Sequence, residues 1–452
     1  MERIFVRDRG FYRMVVQLAV PVIMQGVINL GVNIMDTVML AHYGEIQLSA
    51  SSLAGGYINL FQILCMGIGC GAAVLTSQCW GRRDIVSLKK TVALMLRLAL
   101  GISAVFTLLT WMVPGIIIRI YTPDAEIIEK GVLYLRWSVI TFPLMGLSLT
   151  LTQVLRSIRN VRIPLAASII SFVANIFFNW VFIFGNLGAP EMQIAGAALG
   201  TSIARVIETI IIAGYMFFLE NKIHFRLPAL LEPCGSLLPT YLHYSLPVII
   251  SDSLLALGTN MVSVIMGHIG ATFVATNVIA SVVVRIATVV NQGVWSSSST
   301  VTGNTLGRGE AERAYRQGIT FVAMGVLIGL VGALIIYLVS PYVIAFYNVA
   351  EETEVVAEKL MDAVCITVVF QTTSGVLTKG VLRGGGDTRF LMVADIFFLW
   401  VVSVPLGAAA GLIWNLDPFW VYLCLKSEYI FKTILCLGRL LTKRWMRVIE
   451  SA

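Results

Sequence analysis

Thr76-Ser77-Gln78-Cys79-Trp80-Gly81-Arg82-Arg83-Asp84 returns 226 positions later as Thr302-Gly303-Asn304-Thr305-Leu306-Gly307-Arg308-Gly309-Glu310. That offset is half of a 452-residue chain. Leu246-Pro247-Val248-Ile249-Ile250 answers Val20-Pro21-Val22-Ile23-Met24 at the same offset. Leu382-Arg383 with Arg389 answers Leu155-Arg156 with Arg162 at an offset of 227. One unit of about 220 residues has been duplicated. In membrane proteins, internal repeats of this kind are a mark of transporters, with the binding site between the copies.

The chain is 58% hydrophobic and 13% charged, too apolar for a water-soluble surface at this length. Long uncharged runs, such as Met14–Met35, Ile46–Gly81 and Gln317–Ala350, reach or exceed the roughly 20 residues a spanning helix needs. The first run is too long, and lacks the small-residue site, for a cleavable signal peptide. Turn and charge clusters divide the sequence into twelve spans, near 13–40, 49–80, 91–118, 131–154, 163–185, 193–219, 240–267, 272–306, 317–341, 355–381, 388–411 and 418–441. The expected domains are a first lobe at 1–219, a linker at 220–238 and a second lobe at 239–452.

Charge placement sets the expected orientation. With the N-terminus cytoplasmic, the inner segments hold 22 basic residues, from Arg3 to Arg447, and the outer loops hold Arg119, Lys130 and Lys359. Both termini are therefore expected in the cytoplasm. Six spans per half make the repeats enter the membrane in the same sense. The expected fold is all-α: twelve transmembrane helices in two pseudo-symmetric six-helix bundles around a central cleft. The net charge of +7 is explained by this loop bias, so no nucleic-acid partner is expected. The seven cysteines form no metal-ligand spacing and read as reduced packing residues.

Polar residues inside the spans carry the functional reading. Asp36 is the acid of the first span, about five residues from its expected outer end, or roughly 8 Å. It titrates or holds a cation in a water-lined bundle, or it is simply hydrated near the interface. Asn175 and Asn179 share one helix face at i, i+4 and either coordinate a ligand or join helices. Asp252 and Arg285 reach similar depth from opposite sides and are expected to pair, in a structural or a substrate role. Arg205 with Glu208 and Glu428 with Lys432 read as self-compensating pairs. Pro21 and Pro247, at matching points of spans one and seven, suggest hinges against mere tolerance of proline. Gly67-x-Gly69-x-Gly71 lies in an apolar helix and reads as close packing, not as a nucleotide loop. No enzyme motif is present in the sequence, so no enzyme activity is expected.

Together, Pro21, Asp36, Gln78-Cys79-Trp80-Gly81, Leu155-Arg156, Asn175, Asn179, Asn304-Thr305-Leu306-Gly307 and Leu382-Arg383-Gly384 resemble the multidrug and toxic compound extrusion (MATE) family over essentially the whole chain. The resemblance implies export of an amphipathic or cationic drug in exchange for H⁺ or Na⁺. Asp36 is then the coupling acid, working with Asn175 and Asn179, which together form a possible Na⁺ site; no other cofactor is implied. Asp252 stands one turn early, and Thr372 replaces an acid, relative to the NorM branch. Those departures place the chain closer to the DinF-like branch. Arg285 and Lys379 add positive charge to the second lobe. Phe61, Met66, Phe142, Met145 and Met261 are expected to face the cleft and contact varied ligands. The expected setting is a multi-pass protein of the cell (inner) membrane, acting as a monomer on a small molecule. The rival readings are a flippase for a lipid-linked saccharide and a non-transporting membrane scaffold or enzyme.

Overall fold

The computed structural model describes residues 5–347 and 350–448; Arg3, one of the basic residues behind the expected orientation, lies outside them. The chain is built from helices α1 (Arg9–Ala41), α2 (Glu45–Arg82), α3 (Ile85–Met112), α4 (Pro114–Arg119), α5 (Ala125–Ser138), α6 (Thr141–Ser157), α7 (Arg162–Phe184) and α8 (Ile194–Gly214). They are followed by α9 (Leu238–Ile269), α10 (Ala271–Gly307), α11 (Ala311–Tyr347), α12 (Glu351–Gly375), α13 (Thr388–Ile396), α14 (Val404–Ala408), α15 (Pro418–Leu425) and α16 (Ser427–Leu441). Ten helical segments among the described residues are long and apolar enough to cross a membrane, and the bent pair α5–α6 makes an eleventh.

Three spans depart from the continuous helices expected. The third stops at Met112, because Pro114 cannot donate a backbone hydrogen bond, and α4 begins there. The fourth bends by 58° between α5 and α6, where Pro143 removes the donor that would have bridged the break. The twelfth is interrupted at Lys426, between α15 and α16. Pro21 and Pro247, in contrast, lie within unbroken helices. Asp84, Asp124 and Asp417 cap α3, α5 and α15 by accepting from backbone N–H groups at their starts.

Two compact units emerge from the packing. One joins Met24–Thr76 to Asp84–Ile249. Its core is an aromatic cluster of Tyr57, Phe61, Phe106 and Phe142 with Cys65, Ile118, Leu135 and Met145. The segment after α8 also belongs to this unit and is firmly held. Glu220 accepts from the backbone N–H groups of Lys222 and Ile223 at 2.7 and 2.8 Å, and Arg97 of α3 donates to the carbonyls of Leu230 and Glu232. The other unit joins the described residues up to Ile23 and Ser77–Arg83 to the described residues from Ile250 to 448. Its core runs through Val262, Phe273, Ile336, Leu360, Val364 and Leu425. Exposed side chains such as Trp111, Ile120 and Phe346 point outward over the apolar spans, as a lipid-facing surface requires.

The repeat that opens the sequence is also a contact. A Cβ added to Gly81 would lie 2.3 Å from the Asn304 carbonyl oxygen, and one on Gly307 would lie 2.1 Å from the Gln78 carbonyl oxygen. Asn304 and Gly307 are the counterparts of Gln78 and Gly81, so the contact is two-fold: each copy gives what it receives. The glycines are required because any side chain would drive the two backbones apart. Gly67 against Ile249 and Gly293 against Ile23 repeat the pattern, again at an offset of 226.

Candidate ion and substrate site

In the first half, Asp36 of α1 is half-buried and meets α7 directly. The Asn179 amide nitrogen donates to the Asp36 carboxylate at 2.6 Å. Asn175, one turn earlier on α7, offers its carbonyl oxygen to the same Asn179 nitrogen at 3.4 Å and donates to Thr201 of α8 at 3.2 Å. Asn175 and Asn179 are 2% and 0% exposed, so both amides act inside the protein. The local cause is Gly196-x-x-x-Gly200 on α8. A Cβ at Gly196 would meet the Phe182 carbonyl oxygen at 2.4 Å, and one at Gly200 the Asn179 side-chain oxygen at 2.2 Å. These two glycines let α7 and α8 touch and fix the Asn179 amide. Gly185, left-handed at φ 70°, turns the chain between the two helices.

Arg205 stands one turn beyond Thr201. It pairs with Glu208 at 2.6 Å, as expected of an i, i+3 pair, and its charge also reaches Asp36. The carboxylate therefore sits among donors and a cation. As arranged, it is the nitrogen of Asn179 that faces Asp36, while its oxygen points toward Gly200 without a hydrogen-bond partner. Donor groups of this kind suit an ionised carboxylate.

The second half contains a different set of charges. Asp252 pairs with Arg383, at 3.0 and 3.2 Å to its two oxygens, and not with Arg285, which is exposed. Arg383 answers Arg156 at offset 227, and Arg156 donates to Gln25 in the first half; at the offset of 226 that matches Pro247 to Pro21, Gln25 answers Ser251, the residue before Asp252. Lys432 reaches Glu428 at 3.6 Å, but its nearer partner is Asp395 at 2.7 Å, whose other oxygen accepts from Ser251 at 2.5 Å. Sequence spacing found the first of these pairs; Asp395 lies on a different span, so no spacing reported it. Asn291 donates to the Thr372 hydroxyl at 2.9 Å.

The residues expected to contact drug are scattered in character. Phe61, Phe142 and Met145 are 0%, 0% and 3% exposed and pack in the first unit's aromatic core, which corrects their placement on a cleft wall. Met66 is half-buried, with its sulfur accepting from Gln153 at 3.4 Å, and Met261 is exposed. An all-apolar helix does not announce which face it buries, so these five could not be sorted from sequence.

The MatE family model matches residues 21–181 and 247–409, so each half carries one copy of the family's unit, and the chain belongs to the MatE family. It is accordingly a membrane transporter and not an enzyme, which removes the scaffold-or-enzyme reading. A relative in Mesorhizobium japonicum, named probable multidrug resistance protein NorM, is 28% identical, over 96% of this chain and 93% of its own length. One of the same name in Xylella fastidiosa is 25% identical, over 89% of this chain and 86% of its own length. A crystal structure described as MATE in the bent conformation shares the fold, with a TM-score of 0.87 at 17% identity over 96% of each chain. The NorM names of these relatives are at odds with the DinF-like placement, which is corrected.

Proposed function

We propose that this chain exports amphipathic drugs across the cell membrane in exchange for protons, with both termini in the cytoplasm and Asp36 as the coupling acid. The observation that carries the reading is the 2.6 Å bond from Asn179 to the Asp36 carboxylate. Protonating Asp36 turns an acceptor into a donor and removes the charge that faces Arg205. The Asn179 and Arg205 contacts then lose their complement, and α1 is free to adjust around Pro21, with Pro247 as the matching hinge. Direction follows because the proton binds one conformation better than the other. A sodium ion would need the Asn179 oxygen turned toward Asp36, so the proton is the ion this arrangement takes without rearrangement. The names of the NorM relatives support multidrug export.

The test is dye flux in proteoliposomes with H⁺ or Na⁺ gradients imposed separately. The expected result is flux driven by the proton gradient and abolished in Asp36→Asn. Sodium-driven flux at fixed pH would replace the ion; undiminished, proton-coupled flux in Asp36→Asn would end the role of Asp36.

A further inference from the structure

After α12, the tenth span continues in π-helical turns over Val376–Leu382, a wider winding that is common where a helix carries a functional side chain. Lys379 lies in those turns, half-buried, with its ammonium 5.3 Å from the centre of the Trp295 ring on α10. Asp252, the carboxylate that feels its charge, is already paired with Arg383. Among the described residues, Lys379 makes no ion pair of its own; it reaches Asp252 only as a more distant charge. The indole N–H of Trp295 is likewise buried without an acceptor. Gly375, one turn before Lys379, is what seats that indole, since a Cβ there would lie 2.5 Å from the Trp295 ring nitrogen.

Two donors, one of them charged, thus stand together with no acceptor between them. A buried N–H left unmatched is costly, and an anion drawn to the neighbouring ammonium would supply its acceptor. The repeat sharpens the point. Arg383 and Arg156 are a shared pair of basic residues, but Lys379 answers Thr152 in the first half, so its charge is no part of the duplicated framework. We propose that Lys379 and the Trp295 N–H form a subsite for a carboxylate carried on a flat aromatic body, the carboxylate accepting from both donors and the body lying on the indole. This rests on the reading of the protein as an exporter only in taking the ligand as cargo.

The test is fluorescence polarisation with the full chain in phosphatidylcholine nanodiscs, using rhodamine 110, which bears a free carboxylate, and rhodamine 123, its methyl ester. The wild type is expected to bind the acid roughly tenfold more tightly than the ester, as a partly desolvated charge pair would give. Lys379→Gln should abolish that preference, and a thermal midpoint equal to that of the wild type shows that the variant is folded. Lys379→Arg should keep the preference, and Trp295→Phe should reduce it. Equal binding of the two dyes by the wild type, binding of neither, or a preference that survives Lys379→Gln overturns the proposal. So does loss of the preference when phosphatidylglycerol is added to the discs, because the anion would then be a lipid headgroup. Proton-driven export of rhodamine 123 without acid preference ends this subsite alone; acid preference without driven flux ends the export reading alone.

Discussion

Arg383 holds both oxygens of Asp252, at 3.0 and 3.2 Å, in the place where the first half of the chain sets Arg156 against Gln25. The guanidinium is shared by both copies, and in each it meets an acceptor on the helix of the repeated proline. Asp252→Gln gives Arg383 the type of acceptor that Arg156 has, and should fold and transport. Arg383→Gln leaves the half-buried Asp252 carboxylate without its partner and should destabilise the chain more than Asp252→Gln does. Thermal unfolding of the two variants in detergent measures the difference.

Gly200→Ala tests the Asp36 site without touching a polar group. The added carbon would lie 2.2 Å from the Asn179 side-chain oxygen, so the amide must turn away from Asp36. Driven flux should fall at least about tenfold, the scale of a misplaced catalytic or binding group. Gly101→Ala, where nothing lies within 4 Å, should leave flux unchanged. Equal flux in the two variants would contradict the role given to Asn179.

Lys432 is 4% exposed between Asp395 and Glu428. Lys432→Met leaves two buried acids with one cation fewer and should destabilise the chain by about 3–5 kcal/mol. Lys432→Arg, which copies the counterpart residue Arg205, should recover a large part of that loss. Urea or thermal midpoints of the purified variants check the order.

Asp417 lies between spans, and the Lys359 ammonium at 2.5 Å holds its carboxyl below the usual carboxylate range. A lowered value in the folded chain means stability that is present above the ordinary carboxylate pKa and is lost as pH falls through the folded one. Asp417 also accepts from the Phe419 amide at the start of α15. Protection of that amide from hydrogen exchange should thus weaken at acidic pH, and Asp417→Asn should flatten the dependence.

Much of the site was legible because its signals are local or repeated. Asp36 stood out as a charge in an apolar span, and Asn175 with Asn179 as an i, i+4 pair. The partner of Asp252 was out of reach, because equal depth, which pointed to Arg285, says nothing about facing. Asp395 with Lys432 was out of reach, since only packing decides which faces of two different spans meet. The same holds for Phe61 and Phe142, whose helices are apolar on every side. The breaks beside Pro114 and Pro143 were marked by their prolines, but the one at Lys426 has no such signal.

Because Gly81 and Gly307 each rest on the carbonyl that the other's copy provides, the contact needs no difference between the two halves of the chain. A polypeptide of half this length could make the same contact with a second copy of itself in parallel orientation.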